Sequence, residues 1–290
     1  MRIVDLHNDA ITAMSFRKFK KYIKRAEKAG VGAILVSVWT TEMAEPLQRL
    51  KGARRAIDRI KTKVELLLHI EDAGFINEKN INEVLKLSPF SVGLSWNYNN
   101  NLAGGALDDG SLTELGAMIV RRLVNRGIAI DLAHLNGQSF SDIAQLLKER
   151  ETPLFCSHTC FEAICSNPRN LAGEQMKAIV ESGGIIGLSF VGEFLKGGRA
   201  TMEDVYMHVK YFVDNFGDDN LAIGTDFFGT ENLPIGLCEY EDFKDLKKYL
   251  LQRGIPDSTI YKIFHINAHD YIRRIKCRNQ KPKASWWDKY

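Results

Sequence analysis

The sequence predicts the α/β class and, within that class, a (β/α)8 TIM barrel. Short apolar runs rich in β-branched residues alternate with longer segments of helical periodicity, and eight such runs occur without a break in composition. Runs that are apolar on both faces are typical of parallel strands covered by helices, and eight of them match a barrel. The predicted strands span residues 2–6, 32–38, 64–70, 91–95, 128–133, 153–157, 184–190 and 221–225.

The segments between the predicted strands each carry one apolar stripe at the spacing of an α-helix. Such stripes lie within residues 47–60, 115–123, 176–180 and 205–216. No G-x-G-x-x-G motif follows the first strand, which argues against an open sheet that binds a dinucleotide. A chain of 290 residues therefore fits a single barrel domain over residues 1–275, with a C-terminal tail at 276–290 that carries Trp286 and Trp287.

The composition limits the classes of function. A formal net charge of +3, from 39 basic and 36 acidic residues, argues against a nucleic-acid partner. The most basic run, RKFKKYIKRAEK at 17–28, has apolar residues at helical spacing, so we expect one solvated face of a helix. The sequence shows no secretory signal and no apolar stretch long enough to span a bilayer, so we expect a cytoplasmic protein without a membrane partner. Five cysteines, an odd number, fit reduced thiols.

Side chains that can bind a metal follow five of the eight predicted strands. In a barrel, the carboxyl ends of all strands converge on one mouth, where barrel enzymes carry their chemistry. We therefore expect these side chains to meet at one site. They are His7 and Asp9 after the first strand, Glu71 after the third, His134 after the fifth, His158 after the sixth and Asp226 after the eighth.

This set of side chains predicts a metal centre. His7 and Asp9 are two residues apart, so on an extended segment both would point the same way and could hold one ion together. Histidine nitrogens and carboxylate oxygens suit zinc, and a carboxylate can bridge two ions, so the set is sufficient for two metals. A metal pair lowers the pKa of a shared water and polarises a bound carbonyl. Each residue alone could instead be a hydrogen-bonded structural residue, but burying the whole set without a metal would be costly.

Two further histidines are expected to lie outside the metal centre. His69 precedes the end of the third predicted strand, and we expect it either to face outward or to support a metal ligand from behind. His208 lies inside a helical pattern, where a packing or surface role is expected.

Five stretches of the sequence together form the signature of a known enzyme family. They are DLHNDA, HIEDA, GSLTELGAMIVRRLVNRGIAIDLAHLN, PLFCSHTCFEAICSNPRNL and AIGTDFFG. With them, the chain resembles the membrane dipeptidase (renal dipeptidase) family of the amidohydrolase superfamily over nearly its whole length. The segment from Leu112 to His134, with the SH and RN motifs after it, is fairly specific, whereas H-x-D alone is weak. The resemblance implies a metal-dependent hydrolase barrel that cleaves dipeptides by means of a hydroxide held between metals. Acceptance of a D-residue at the C-terminal position is left open by the sequence.

The resemblance also implies which residues hold the metals. His7 and Asp9 correspond to the ligands of one zinc ion, and His134 and His158 to the ligands of the other. Glu71 corresponds to the carboxylate that bridges the two ions, and it is also a predicted catalytic residue. The implied cofactor is two zinc ions or another divalent metal.

Two other residues correspond to groups that act on the substrate. Asp226 matches the acid that takes a proton from the attacking water and passes it to the leaving amine. Arg169, in NPRN, matches the arginine that pairs with the terminal carboxylate of the substrate, a geometry to which a guanidinium is suited.

One position departs from the family pattern. Relatives of the renal enzyme carry a histidine after the fourth strand that helps to polarise the substrate carbonyl, whereas GLSWNYN has Trp96 there. Trp96 has only an indole N–H to donate, so either Asn97 or Asn99 supplies the donor to the carbonyl oxygen or the substrate is held differently. This departure bears on the substrate more than on the metals.

Two alternatives remain open from the sequence. One is another amidohydrolase reaction, such as lactone, phosphoester or nucleobase hydrolysis; the H-x-D motif and the lack of a lysine after the fourth strand argue against it. The other is a barrel that binds a peptide without turnover. A homodimer is also an expectation, based on the rim loops and the tail that carries two tryptophans.

Overall fold

The structure is a closed barrel of eight parallel β-strands, which confirms the predicted TIM barrel. It is a computed structural model that describes residues 1–41 and 44–279, and over these residues the strands pair in chain order, with the last closing on the first. The strands are β1 (Ile3–Asn8), β2 (Val31–Trp39), β3 (Glu65–Glu71), β4 (Ser91–Gly93), β5 (Ala129–Asp131), β6 (Phe155–Thr159), β7 (Ile185–Leu188) and β8 (Leu221–Ile223).

Helices connect successive strands and cover the outside of the barrel. Single helices follow most strands, whereas pairs follow β1 and β7, and three helices follow β8. A short 3-10 helix (Tyr240–Asp242) and a π-helical turn (Lys262–Ile266) flank the final helices. The α-helices are α1 (Ala10–Ala13), α2 (Phe16–Ala29), α3 (Pro46–Arg59), α4 (Ile81–Lys86), α5 (Glu114–Asn125), α6 (Gly137–Lys148), α7 (Gly173–Glu181), α8 (Gly192–Lys196), α9 (Met202–Phe216), α10 (Phe243–Gln252), α11 (Asp257–Tyr261) and α12 (Asn267–Asn279).

Alternate residues of the strands pack into two separate cores. Val4 and Leu6 of β1 face the barrel interior, whereas Ile3 packs outward against the helices. Both directions are apolar because both faces of the sheet are covered, and burial of each such side chain stabilises the fold by about 2 kcal/mol. The barrel interior is filled by Val4, Leu6, Ala33, Leu35, Leu67, Phe155, Ile185 and Ala222.

Helix α2 contains the most basic run of the chain. Phe19, Ile23 and Ala26 are buried against the barrel, while the lysines and arginines of the run face solvent. Gly30 ends the helix with a left-handed backbone, and a Cβ there would collide with the carbonyl of Met1. The basic run is therefore the solvated face of an amphipathic helix, as the sequence predicts.

Helix α12 closes the amino-terminal end of the barrel. Tyr271 stacks on Phe155 inside the barrel, and its hydroxyl donates to the carbonyl of Pro153 at 3.2 Å.

The predicted boundary between residues 275 and 276 falls inside helix α12, and Arg278 still donates to the carbonyl of Glu151 at 2.7 Å. The rest of the predicted tail, with Trp286 and Trp287, lies outside the described residues. Across the described part of the chain, no helix combines the length and apolar character needed to cross a membrane.

Candidate active site

A cavity of about 460 Å³ opens at the carboxyl ends of the strands. Its floor contains Asp9, Glu71, His134 and Asp226, four of the residues that the sequence places at strand ends. Aromatic side chains form much of its wall: Trp39, Trp96, Phe194 and Phe228. An aromatic cleft with a few convergent polar groups is typical of a small-molecule site.

Two strands are irregular where their histidines join the cluster beneath this cavity. The pairing of β1 with β2 shifts register between Asp5 and Asn8, and the pairing of β6 with β7 shifts between Cys156 and Thr159. Such shifts change the direction of the side chains beyond them. His7 and His158 lie within these two irregular segments; both are fully buried and contact Glu71 from beneath the cavity.

His7 and Asp9 meet on one side of Glu71. The Nε2 atom of His7 is 3.2 Å from Oδ2 of Asp9 and 3.7 Å from Oε2 of Glu71. Asp226 Oδ1 lies 3.8 Å from the same nitrogen. The spacing predicts that Asp9 continues the extended strand. In the structure Asp9 instead lies at the start of α1. The turn into the helix, rather than strand alternation, brings its carboxylate to His7.

His134 and His158 meet on the other side of Glu71. The Oε1 atom of Glu71 is 2.9 Å from Nε2 of His134 and 3.9 Å from Nε2 of His158. The two histidine nitrogens are 2.9 Å apart. The two oxygens of one carboxylate thus face two different groups of donor atoms, which is the arrangement of a bridging ligand.

Burial raises the pKa values of two carboxyl groups in the cluster. Loss of solvation holds the pKa of Glu71 well above its ordinary range, although the attraction of His7 opposes this. Burial likewise raises the pKa of Asp226 to about 7, again against the attraction of His7. A carboxyl group with a pKa near neutrality can both accept and donate a proton at physiological pH.

Burial acts in the opposite direction on the histidines. Loss of solvation holds the pKa values of His134 and His158 well below the usual value. Burial alone would also lower the pKa of His7, but the negative charges of Glu71 and Asp9 outweigh it and raise that pKa to about 10. Neutral imidazole is the form that binds a metal, and a cation placed among these carboxylates would replace the proton of His7.

Several residues at the mouth have a left-handed backbone, which is costly for residues other than glycine. The φ angle is 67° at His134, 60° at Asp226 and 59° at Asn97. Each conformation costs about 1 kcal/mol or more, and such strain clusters at functional sites. Here it turns the chain at the strand ends, so that the three side chains reach the cavity instead of continuing the sheet.

His69 points into the barrel and not outward, so the first of its two expected orientations is wrong. The residue is fully buried, its Nδ1 is 2.8 Å from Ser91 Oγ, and its ring centre is 5.4 Å from that of His7. Burial lowers the pKa of His69 to about 4. Its Nε2 lies 3.4 Å from Asp131, so His69 packs beneath the cluster as a supporting residue. His208 is buried in packing, as expected.

Arg169 lies beside the second histidine group. Its Nη2 donates to Nε2 of His158 at 3.1 Å, and its guanidinium packs on the Phe194 ring with 5.1 Å to the ring centre. Burial lowers its pKa, while Cys156, Asp226, Glu71 and Asp131 act in the opposite direction. The arginine is therefore a buried cation held at the edge of the cluster, as a partner for an anionic group would be.

The three residues after β4 take different positions. Trp96 lines the cavity and packs against Trp39 and His134, with ring centres 5.4 Å and 5.7 Å away. Asn97 also lines the cavity, and its Oδ1 is 2.8 Å from Nδ1 of His134. Asn99 is not among the residues that line the cavity: its amide donates to the carbonyl of Asp109 at 3.1 Å and fastens the rim loop.

Sequence reasoning missed the polar residues behind the histidines and most of the aromatic wall. Asp131 and Ser157 are fully buried inside strands β5 and β6 and contact the histidines from below. A carboxylate within an otherwise apolar predicted strand was a signal available for Asp131. No periodic signal marks Phe194 or Phe228, because each follows a strand in a loop or a short helix.

The donor set fits divalent cations. His7 Nε2 and Asp9 Oδ2 are buried and lie 3.2 Å apart, but neither makes a hydrogen bond among the described residues, which is costly unless another group binds them. The facing nitrogens of His134 and His158 would both act as acceptors, as they do toward a metal. Three groups of close donor atoms occur among the described residues, and two of them reflect this arrangement: His7, Asp9 and Asp226, and Glu71, His134 and His158. The third joins His7 and His158 with Asp131, which lies beneath them. Nitrogen and carboxylate donors in such groups suit zinc and similar metals.

A comparison with known proteins identifies the family. The model of the family described as "Membrane dipeptidase (Peptidase family M19)" matches residues 61–285. The chain belongs to the membrane dipeptidase family. Membership confirms the family predicted from the sequence, and with it a metal-dependent hydrolase that uses a divalent metal.

Two curated proteins are similar in sequence to this membrane dipeptidase family member. An uncharacterized protein in the pqqA 5′ region of Klebsiella pneumoniae is 31% identical over 217 residues, covering 70% of this chain and 79% of that protein. Dipeptidase verJ of Clonostachys rogersoniana is 27% identical over 159 residues, covering 55% of this chain and 40% of that protein.

Solved structures show the same fold. A metallo peptidase from Rhodobacter sphaeroides, liganded with a phosphinate mimic of the dipeptide L-Ala-D-Ala, has a TM-score of 0.79 with this family member. The match has 20% sequence identity and covers 95% of this chain and 99% of that one.

Proposed function

We propose that the protein hydrolyses dipeptides with two divalent cations bound on either side of Glu71, and zinc is the metal that we expect. The observation that carries the proposal is the division of the Glu71 carboxylate between two groups of donors. One oxygen is 2.9 Å from His134, and the other is 3.7 Å from His7. Family membership and the dipeptide mimic bound to a solved structure of the same fold support the choice of reaction.

The roles of the ligands follow from the two groups. His7 and Asp9 would hold one cation, His134 and His158 the other, and Glu71 would contribute one oxygen to each. When bound, the cations lower the pKa of a water molecule and polarise the substrate carbonyl. The left-handed backbone at His134 fixes this ligand in place before any ion arrives.

Asp226 is the residue that moves the proton. It faces the cavity, and burial raises its pKa to about 7. As a carboxylate it accepts the proton of the attacking water, and as the neutral acid it returns that proton to the nitrogen of the leaving amino acid. A group whose pKa lies near the working pH performs both transfers efficiently.

Arg169 would bind the carboxylate at the end of the dipeptide. A lone pair serves one partner, so His158 Nε2 cannot both accept from Arg169 and bind a cation. In the metal-loaded protein the guanidinium donors are therefore free for a carboxylate, which they can contact in bidentate fashion. This charge pairing would restrict the substrates to peptides whose free carboxylate lies one residue beyond the cleaved bond.

The remaining residues after β4 shape the site. The contact of Asn97 with His134 supports a role in holding that ligand, and Trp96 would form an apolar wall in place of the family histidine. The hydrogen bond of Asn99 within the rim loop supports a role in loop structure and not in binding the substrate. Acceptance of a D-residue at the C-terminal position, a cytoplasmic location and a homodimer stay predictions.

Metal analysis combined with a hydrolysis panel tests the proposal. We expect the purified protein to hold two divalent ions per chain and to release amino acids from dipeptides, including dipeptides with a C-terminal D-residue. Matched dipeptide amides, which lack the carboxylate, should be poor substrates. Cleavage of lactones or phosphoesters without cleavage of any dipeptide would favour another amidohydrolase reaction, and binding without cleavage of any panel member would favour a peptide-binding barrel.

A further inference from the structure

Ser157 lies between two of the proposed metal ligands. Its Oγ is 2.8 Å from Nδ1 of His158 and 3.3 Å from Nδ1 of His7. The same hydroxyl donates to Oδ2 of Asp131. These histidines belong to opposite sides of Glu71, so one buried hydroxyl contacts both halves of the centre.

The hydrogen-bonding capacity of Ser157 determines the direction of each bond. A hydroxyl has one proton to donate and two lone pairs to accept with. The carboxylate of Asp131 can only accept, and its other oxygen already accepts from the backbone N–H groups of Ser157 and Ala133 at 2.8 Å and 3.1 Å. The proton of Ser157 therefore goes to Asp131, and both lone pairs remain for N–H donors. Both histidines then carry a proton on Nδ1, so Nε2 is the nitrogen that each ring offers to a metal, at His7 in place of the second proton that Asp9 and Glu71 favour there.

The position of Ser157 is fixed by close packing of its backbone. A Cβ at Gly187 or at Gly224 would lie only 1.8 Å or 1.9 Å from the carbonyl oxygen of Ser157. Gly187 of β7 and Gly224, directly after β8, thus leave room for the backbone of β6. Because the residue is also fully buried, the hydroxyl cannot move away from either histidine.

We propose that Ser157 is a positioning residue shared by both metal sites, which sets the tautomer and orientation of His7 and His158 at once. The inference rests on the proposed assignment of these histidines as ligands. Partners that hold the second nitrogen of a ligating histidine contribute about 10- to 100-fold to metal affinity. Loss of the hydroxyl should therefore lower the affinity for both ions in parallel. Loss of a residue that contacts only one ligand should lower the affinity for one ion.

The test compares metal affinity in Ser157→Ala and Ser37→Ala. Ser37 is a matched control because it is also a fully buried serine on a barrel strand, and its Oγ has no hydrogen-bond partner among the described residues. Protein is equilibrated with zinc at concentrations set by a competing chelator, and bound zinc is counted by mass spectrometry. The affinity for each of the two zinc ions should fall about 10- to 100-fold in Ser157→Ala and stay unchanged in Ser37→Ala. Wild-type affinity for either ion in folded Ser157→Ala would overturn the proposal.

A second measurement covers the case in which Ser157→Ala does not fold. In zinc-loaded wild-type protein with ¹⁵N-labelled histidine, NMR should show protonated, slowly exchanging Nδ1 atoms at both His7 and His158. An unprotonated Nδ1 at either residue would overturn the proposal. Failure of the wild-type protein to bind zinc would instead contradict the assignment of the ligands, and so the two failures are distinguishable.

Discussion

The Oδ1 atom of Asn97 accepts a hydrogen bond from Nδ1 of His134 across 2.8 Å, and both residues have a left-handed backbone. The contact fixes the ring of His134 with Nε2 toward Glu71. The residue that follows Trp96 therefore holds a proposed metal ligand.

Replacement of Asn97 by alanine should lower the affinity for the ion at His134 about tenfold, because the ring loses the acceptor that fixes its tautomer. Asn97→Gly separates the two contributions, since glycine loses the side chain but relaxes the backbone at φ 59°. We expect both variants to show the same loss of zinc affinity by chelator competition, with Asn97→Gly the more stable of the two. Unchanged affinity in both would exclude this role.

Asp226→Asn should lower kcat about 10²- to 10⁴-fold while both ions remain bound. Asparagine keeps the shape of the side chain and tolerates the left-handed backbone at this position. The measurement is steady-state hydrolysis of a dipeptide together with metal content. An unchanged kcat would remove Asp226 from the proton transfer, and loss of one ion would instead assign it to the ligands.

Glu193 should favour substrates with a cationic side chain. Its exposed carboxylate lines the cavity beside aromatic walls, and its Oε1 is held by Asn232 at 2.8 Å. The described residues that line this cavity include no lysine or arginine, and Arg169, at the edge of the cluster, is the cation proposed to pair with the terminal carboxylate of the substrate. We expect kcat/KM to be several-fold higher for dipeptides with lysine than for dipeptides with norleucine.

The Glu193→Gln variant should lose that preference and keep its activity on norleucine dipeptides. Glu181→Gln, on an exposed position of α7, is the matched control and should retain the preference. Equal kcat/KM values for both dipeptides in the wild-type protein would show that Glu193 does not select substrates.

His208 should make the fold sensitive to acid. Its Nδ1 accepts from the N–H of Phe161 at 3.3 Å, and its Nε2 donates to the carbonyl of Leu195 at 3.0 Å, so the packed ring is neutral. Burial lowers its pKa to about 4. Between about pH 6.5 and pH 4 the unfolded state binds the proton more readily than the folded state, so stability falls as the pH falls through this window, by about 3 kcal/mol in total.

Chemical denaturation of His208→Gln across that pH window measures this contribution. The variant should have lower stability at pH 7 but a smaller loss of unfolding free energy on acidification than the wild-type protein. His269→Gln, at an exposed histidine of α12, should leave the pH dependence unchanged. An equal acid-induced loss in His208→Gln and wild type would contradict the assignment.

The barrel could be predicted because both faces of its strands are apolar. All eight strands lie where the sequence predicts them, but several end earlier at the mouth. The fifth, expected over 128–133, is observed as Ala129–Asp131, and the seventh, expected over 184–190, as Ile185–Leu188. Residues beyond these ends stay buried while the backbone turns toward the cavity, so hydrophobicity alone does not reveal where the sheet stops.

The proposed ligands could be predicted as a set because histidines and carboxylates at strand ends converge in a barrel. Their supports were harder to predict: Asp131 stands out as a carboxylate in an apolar strand, whereas Ser157 differs from a structural residue only in what it contacts across the barrel. The register shifts that direct His7 and His158, and the left-handed backbone at His134 and Asp226, depend on neighbouring strands. No local pattern in the sequence encodes either of them.

Anomalous scattering at the zinc edge from crystals of the zinc-loaded protein shows whether two ions bind on either side of Glu71. We expect two peaks about 3.5 Å apart, one beside His7 and Asp9 and the other beside His134 and His158, with Glu71 between them. A single peak, or peaks that Glu71 does not bridge, would contradict it.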